Sequence, residues 1–397
     1  MEKKNQVPKY PPLRFHEFTD EWKKVKLGEV TCERNETNTP TLPLLSITAN
    51  KGVIPQTDSE KKDVSNADKS KYKRICSGDI GYNTMRMWQG RSALSFIEGI
   101  VSPAYTIVTP LKGVSPLFLS YLIKRPRLIY EFWTHSQGLV EDTLNCKYKD
   151  FAQITITIPS LPEQRKIAAL LSLIDERIEV QNAIIKEQEA LKAALLRRLF
   201  DRTLRFPEFT DEWKKVKLGE VAEIIGGGTP STTTTNYWDG EIVWFNPSEI
   251  GKKKYVSNSN RTISFQGLSN SGARLLPKGT VLLTTRATIG EIAIANVECT
   301  TNQGFQSVVT GHEANNEYVY YFLSTQKVYL LRHSSGSTFL ETPSSVIRNL
   351  PLRLPSLAEQ KKIAALLSAL DERIAVETEY AALLQKQKAY LLRQMFV

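Results

Sequence analysis

The sequence predicts an α+β chain: two mixed α/β modules joined by two long antiparallel coiled-coil helices, with an internal pseudo-twofold, cyclic repeat. Three observations predict it. Residues 14–30, RFHEFTDEWKKVKLGEV, return at 205–221 as RFPEFTDEWKKVKLGEV, sixteen of seventeen identical. Residues 159–178, PSLPEQRKIAALLSLIDERI, return at 355–374 as PSLAEQKKIAALLSALDERI, sixteen of twenty identical. Two unlike segments, about 23–158 and 214–354, lie between the repeats, so the chain is a duplicated frame carrying diverged inserts.

The order of the repeats is cyclic. The first helical region ends LLRRLF (195–200) and runs through Arg205 and Phe206 into the second FTDEW. The last ends LLRQMF (391–396), and the continuation it lacks, RFHEFTDEW, stands near the N-terminal end. The expected division is 1–158 for the first module, 159–204 for its helix, 205–354 for the second module and 355–397 for the last helix.

Composition bounds the function. The chain has 397 residues, 52 Lys+Arg and 42 Asp+Glu, for a formal net charge of +10. That length is enough for about two or three domains with real cores. A hydrophobic share of 41% is that of an ordinary globular chain. No apolar run reaches the ~18 residues a membrane span needs. The N-terminal lysines have no apolar stretch behind them, so no secretory signal is expected. Cys32, Cys76, Cys146 and Cys299 form no CxxC pair, which argues against a disulfide scaffold or a Cys-rich zinc site. A cytoplasmic setting without membrane contact is expected.

The helices come next. From Glu163 to Arg205 there is neither Gly nor Pro, and strong helix formers dominate. Pro162 and Glu163 suit a first helical turn. About 38 residues at ~1.5 Å each make a rod of ~57 Å. Ile167, Leu171, Ile174 and Ile178 fall on a 4–3 alternation, as do Ile363, Leu367, Leu370 and Ile374. Polar residues interrupt both patterns, Gln181, Gln188 and Lys192 in one and Glu377 and Lys388 in the other, which would help fix register. The expected partner of each helix is the other. A second apolar stripe (Leu170, Leu173, Val180, Ile184 and Leu191, matched by Leu366, Ala369, Val376, Tyr380, Leu383 and Tyr390) calls for burial against the chain's own modules or a partner subunit.

The two modules share a faint template. Strand-like runs occur at 44–48, 79–82 and 105–108 in the first, and at 241–245, 280–284, 291–295 and 307–310 in the second. A helix is expected over 118–130 and another over 318–331. Gly78-Asp79-Ile80 aligns with Gly279-Thr280-Val281, Thr84-x-Arg86-x3-Gly90 with Thr285-Arg286-x3-Gly290, and Ser136-Gln137-Gly138 with Ser334-Ser335-Gly336.

Charge is partitioned between frame and modules. Residues 23–158 hold 19 Lys+Arg and 13 Asp+Glu, and residues 214–354 hold 14 and 10. The remainder is balanced, so the whole +10 excess sits in these two stretches, each of which opens on the repeated KKVKLGEV. Basic groups neutralise phosphate, and Arg can also read guanine. The candidate DNA contacts are Lys71, Lys73, Arg74, Asn83, Arg86, Gln89 and Arg91 in the first module, and Lys252, Lys253, Lys254, Arg274 and Arg286 in the second. Arg86 and Arg286 stand out because each lies in the shared turn. Any single cluster could equally be a solvated loop.

No catalytic set holds together. Asn246-Pro247-Ser248-Glu249 lacks the second proline and aromatic of an amino-methyltransferase motif. Gly226-Gly227-Gly228-Thr229-Pro230 lacks the lysine of a phosphate loop and reads as a turn. Glu21-x-Lys23 and Glu212-x-Lys214 mimic the tail of a nuclease motif without its upstream part. Four histidines show no metal spacing. Two basic modules on matched rods, without a reactive centre, read as a ruler carrying two readers.

The chain resembles the specificity (S) subunits of type I restriction–modification enzymes over nearly its whole length. The resemblance is carried by Pro159-Ser160-Leu161-Pro162-Glu163-Gln164 and its repeat at 355–360, by Gly228-Thr229-Pro230-Ser231 with Tyr237-Trp238-x-Gly240, by Thr301-Asn302-Gln303-Gly304-Phe305 and by Gly336-Ser337-Thr338-Phe339. The first module departs from it: Leu44-to-Thr48 with Lys51-Gly52-Val53-Ile54, and Gly99-to-Tyr105, resemble another lineage of target-recognition domain. The resemblance implies that each module is a target-recognition domain reading half of a split, asymmetric double-stranded DNA target. It implies that the helices set the spacer and dock two methyltransferase subunits, with restriction/translocase subunits in the full complex. It places S-adenosylmethionine, ATP and Mg in those partners and no cofactor, metal or catalysis in this chain. The alternative is a coiled-coil scaffold or regulator whose basic domains bind RNA or protein.

Overall fold

The computed structural model describes residues 10–48, 51–59, 67–138, 140, 143–336 and 340–397. The N-terminal lysines and the motif residues Ser337, Thr338 and Phe339 lie outside the described residues. The chain divides into two compact units, Met1–Asn182 with Glu379–Val397, and Ala183–Thr378. This division cuts each long helix rather than setting it apart, so every unit is one module plus a piece of both helices.

The first unit holds strands β1 (Lys23–Lys26), β2 (Thr31–Glu33), β3 (Leu45–Ile47), β4 (Val53–Pro55), β5 (Lys73–Ile75), β6 (Ile80–Asn83), β7 (Ser92–Leu94), β8 (Gly99–Val101), β9 (Tyr105–Pro110) and β10 (Thr155–Ile158). Its short helices are α1 (Leu27–Val30), α2 (Pro116–Leu122), α3 (Pro126–Thr134) and α4 (Tyr148–Phe151). An antiparallel sheet of order β2-β9-β6-β7 forms the centre. The ribbons β3-β4 and β5-β8 flank it, and β1 pairs with β10 at the base of the long helix α5 (Leu161–Phe200). One core cluster joins Trp22, Phe118, Phe151, Ile167, Leu171 and Phe396.

The second unit repeats the plan with strands β11 (Lys214–Lys217), β12 (Ala222–Gly226), β13 (Trp238–Phe245), β14 (Tyr255–Val256), β15 (Arg261–Ile263), β16 (Val281–Leu283), β17 (Ile292–Ala295), β18 (Cys299–Thr301), β19 (Gln306–Thr310) and β20 (Pro351–Leu354). Its helices are α6 (Leu218–Val221), α7 (Phe265–Ser269), α8 (Asn316–Ser324), α9 (Lys327–Arg332), α10 (Ser344–Arg348) and the long α11 (Leu357–Gln394). The sheet β12-β19-β16-β17 matches the centre of the first unit and gains β14 on its edge. The three-stranded sheet β15-β13-β18 has its counterpart in the first unit, where β3 pairs with β4 and Leu44 bridges in parallel to Ile100 of β8.

The expected single helices over 118–130 and 318–331 are each two helices. In the first unit Pro126 removes an N–H and forces Arg125 to an extended ψ of 142°. In the second there is no proline. There the Ser324 and Thr325 hydroxyls donate to the Tyr321 and Phe322 carbonyls at 2.6 and 2.7 Å, closing the last turn of α8.

The repeated motifs explain one another. Glu163 at the start of α5 is buried, with 1% of its side chain exposed. The Arg14 guanidinium donates to both its oxygens, at 2.7 and 2.8 Å, and Trp22 Nε1 donates at 3.2 Å. Arg205, Trp213 and Glu359 repeat the clamp at 2.8, 2.9 and 3.1 Å. The next residue, Gln164, accepts from the Ser115 N–H at 2.9 Å and donates to the Pro159 carbonyl at 2.9 Å, tying the helix start to the N-cap of α2. Gln360 does the same with Asn315 and Pro355, at 2.8 and 3.0 Å. Thus the RF…FTDEW and PSLxEQ repeats are two halves of one joint, brought together across about 140 residues of module.

The helices pair antiparallel within each unit. In the first, Lys388 of α11 pairs with Asp175 of α5, which also accepts from the Tyr121 hydroxyl at 2.7 Å. In the second the helices exchange roles: Lys192 of α5 pairs with Asp371 of α11, which accepts from Tyr321 at 2.6 Å. Burial and the neighbouring carboxylate push both tyrosines well above the ordinary phenol range. The polar breaks Lys192 and Lys388 in the apolar pattern are therefore the cross-helix ion pairs that set register.

The apolar seam is shared differently from the expectation. Ile167 and Leu171, and likewise Ile363 and Leu367, are buried in the module cores, so each helix start packs on its own module as well as toward the other helix. Ile174 is buried, and Ile178, Leu370 and Ile374 are half-buried. The second stripe is not covered by the modules: Leu173, Val180, Leu191, Val376, Leu383 and Tyr390 are all at least half exposed. Only Leu170 and Leu366 of that stripe pack on a core.

Glu163→Ala is expected to destabilise the first unit by about 2 kcal/mol, because the buried Trp22 N–H loses its acceptor and Arg14 its partner. Urea unfolding followed by Trp fluorescence reads this, with Glu163→Gln milder because it keeps an acceptor.

Candidate nucleic-acid interface

The two modules present matching rims built from the same backbone bonds. In the first, the turn after β6 is held by Thr84: its N–H donates to the Ala104 carbonyl at 3.4 Å, and its carbonyl accepts from the Cys146 N–H at 2.9 Å. In the second, Thr285 donates to Gly304 at 2.7 Å and accepts from Thr342 at 3.0 Å. Three chain segments therefore meet at each rim: the turn after the central strand, the loop before β9 or β19, and a hairpin ending at Asn145 or Glu341. Gly90 and Gly290 close the turns with φ of 72° and 85°. A Cβ on either would strike Ile129 of α3 or Lys327 of α9 at 2.9 or 2.8 Å.

These bonds correct the alignment of the turn. Thr84 and Thr285 are equivalent, as are the two glycines, but the first turn is one residue longer. Met85, not Arg86, therefore takes the place of Arg286. Arg86 is exposed one residue further on, and its Nη1 lies 3.4 Å from the Gln89 side-chain oxygen. Gln89 and Arg91 are exposed beside it. Asn83 is half-buried and accepts from the Met85 N–H at 3.0 Å, so its amide shapes the turn. Met85 is 48% exposed and is a rim residue that the charge census missed.

The other basic candidates separate by environment. Lys71 is exposed. Lys73 and Arg74 project from β5. Lys73 lies 3.7 Å from Glu33, and Arg74 is bound by Glu98 and by Glu36, both at 2.7 Å. Those hydrogen bonds, Glu98 first, raise the guanidinium well above its ordinary value. Arg74 is thus bridged to two carboxylates within the module.

Lys252, Lys253 and Arg274 are exposed. Lys254 differs, because its ammonium is turned inward with 11% of the side chain exposed. It donates to Glu317 at 3.0 Å, Tyr321 at 3.2 Å and Ser368 at 2.6 Å, joining β14 to α8 and α11. Burial pushes the Glu317 carboxyl up, but hydrogen bonds from Tyr255, Ser368 and Lys254 outweigh it and hold the group below its ordinary value. Sequence spacing could not separate three adjacent lysines; the bend that leads into β14 does.

Motifs of ambiguous meaning resolve as structure. Gly227 and Gly228 allow close backbone approach: a Cβ there would lie 2.0 Å from the Asn302 carbonyl and 2.2 Å from Gly272. Asn246 and Glu249 cap their own 3₁₀ turn, at 3.0 and 2.9 Å, and the other Glu249 oxygen accepts from the Asn260 N–H at 2.6 Å.

A family model for the type I restriction modification DNA specificity domain matches residues 19–190 and 210–386, most of the chain. The chain belongs to this family. It is 36% identical over 190 residues to the type I restriction enzyme MjaIX specificity subunit of Methanocaldococcus jannaschii, covering 47% of this chain and 44% of that one. It is 23% identical over 353 residues to the putative MjaX specificity subunit of the same organism, covering 83% and 80%. Among solved structures, the type I restriction–modification S subunit of M. genitalium aligns over 98% of this chain and 99% of its own with a TM-score of 0.59 at 15% identity. A chain from a structural study of type I R-M complex assembly and conformational transition gives 0.59 at 20% identity, covering 94% and 97%. These two likenesses show the fold. Among the described residues no helix is long and apolar enough to cross a membrane.

Lys254→Met is expected to destabilise the fold by on the order of 1 kcal/mol, and so lower the melting temperature, by leaving Glu317 without its cation. Lys252→Glu with Lys253→Glu should leave it unchanged. Differential scanning fluorimetry separates the two.

Proposed function

We propose that the chain is the DNA-recognition subunit of a type I restriction–modification complex. Each module reads one half of a bipartite, asymmetric duplex target, and the helices set the distance between half-sites. The observation that supports this best is the contrast between frame and rim. The clamp, the helix start and the Tyr–Asp–Lys group repeat residue for residue, whereas the rim residues differ. Identical joints carrying unlike readers suit a split target whose halves differ in sequence.

No catalytic step is assigned to this chain. Two methyltransferase subunits, using S-adenosylmethionine, would supply modification, and restriction/translocase subunits would use ATP and Mg. The exposed stripe supports a protein partner along the helices. Leu173, Val180 and Leu383 on the first unit and Leu191 and Val376 on the second leave apolar surface in water that a partner helix would bury.

Selection from a randomised duplex pool, by the chain purified with its methyltransferase partner, should return a bipartite sequence with a fixed gap. A pool enriched in single-stranded or unsplit sequences, or in none, would sink the proposal. Replacing residues 214–354 by another such module should change one half-target only, and a change in both would refute the modular layout. Val180→Glu with Leu383→Glu should weaken copurification of the methyltransferase subunit at least tenfold without lowering the melting temperature. Unchanged copurification would place the partner elsewhere.

A further inference from the structure

The equivalence of Thr84 with Thr285, and of Cys146 with Thr342, pairs two further positions. Arg286 bridges to Glu341 across the second rim, and by this equivalence Met85 and Asn145 hold the corresponding positions of the first. There the second module carries an ion pair for which the first has a methionine and an amide. Arg286 Nη2 lies 2.7 Å from Glu341 Oε2, and the side chains are 41% and 35% exposed. The carboxylate is not on a loose loop. Glu341 exchanges both backbone hydrogen bonds with Ser335, at 3.0 and 2.9 Å, and the next residue is tied to Thr285. Among the described residues Arg286 Nε is buried without a hydrogen-bond partner, so the base of the guanidinium is enclosed and its tip is at the surface. The loop Asn302–Gly304 packs alongside, where a Cβ on Gly304 would sit 3.6 Å from the Arg286 Cβ.

We infer that Glu341 is a positioning residue that makes Arg286 a base reader rather than a phosphate clamp. This rests on the DNA reading proposed above. A free surface arginine is drawn to the nearest phosphate, which positions a protein without reading sequence. A carboxylate bound to one side of the guanidinium offsets its charge and fixes its plane. Its remaining tip donors keep their directions, and two such donors match the O6 and N7 acceptors of guanine in the major groove. The same carboxylate would be repelled by phosphates, so the pair is tolerated where a base edge, not a backbone, faces it. In the first module Met85 cannot do this. It offers an apolar surface, while Arg86, one residue on, has no carboxylate partner among the described residues.

The test uses the full chain with its methyltransferase partner, a randomised duplex pool, and a salt titration on the duplex the wild type selects. The wild type should show one position, in the half-target read by residues 214–354, restricted to guanine. Glu341→Gln should relax that position roughly tenfold or more while leaving the other half-target unchanged. It should also steepen the log–log salt dependence by about one, as the released arginine reaches a phosphate. Arg286→Met, which installs the residue of the other module, should lose the guanine preference without steepening the slope. A Glu341→Gln chain of wild-type melting temperature whose selected sequence and salt slope match the wild type overturns the inference. So does a loss spread evenly over both halves, which would mark a merely structural role. A wild type that selects no bipartite duplex instead overturns the DNA reading itself, a result visible before any variant is made.

Discussion

The structure depends on a carboxylate buried at the start of each long helix. Glu163 and Glu359 would be costly in a core if unpaired, because an isolated charge loses its hydration without return. Each is satisfied by a two-pronged arginine and an indole N–H from a segment distant in sequence. A bidentate Arg–carboxylate pair is directional as well as strong. The joint therefore sets the angle at which a long helix leaves its module. The adjacent glutamine binds the cap of the next helix, so module and rod cannot turn independently without leaving buried polar groups unmet.

A second constraint acts between the helices. Heptad apolar residues alone would let two rods slide by whole heptads. Lys192 and Lys388 oppose that, because each reaches an aspartate on the opposite helix that also receives a tyrosine hydroxyl from the module. Such pairs add little net stability once desolvation is counted, but a slipped register would strand a charge. The same three residue types recur with the helices exchanged, which is what a cyclic repeat requires.

A frame specified this tightly leaves the rims free to diverge. The ends of strands β6 and β16 are held at Thr84 and Thr285 by main-chain bonds, which do not depend on the side chain of the residue that follows. Residue identity at 85 or 286, and at 145 or 341, is therefore released from folding. The second module uses that freedom for an ion pair, the first for a methionine and an amide. Basic residues outside the rims follow other demands: Arg74 is bridged to carboxylates within its sheet, and Lys254 ties a strand to the helices.

Much was legible in the sequence because it was periodic or repeated. The duplication, the two rods and the confinement of excess charge to the modules follow from spacing and counting alone, since helical period and repeat offset are local properties of the chain. The tertiary structure decided the rest, for reasons of proximity and direction. Only folding brings Arg14 and Trp22 to Glu163, turning two separate motifs into one joint. Only the bend before β14 sends Lys254 inward while Lys252 and Lys253 face water, and only the added residue in the first turn shifts Arg86 out of the place that Arg286 holds. Charge can be counted along a chain, but whether a cation is spent inside the protein or offered to a partner is settled by what folding places within about 3 Å of it.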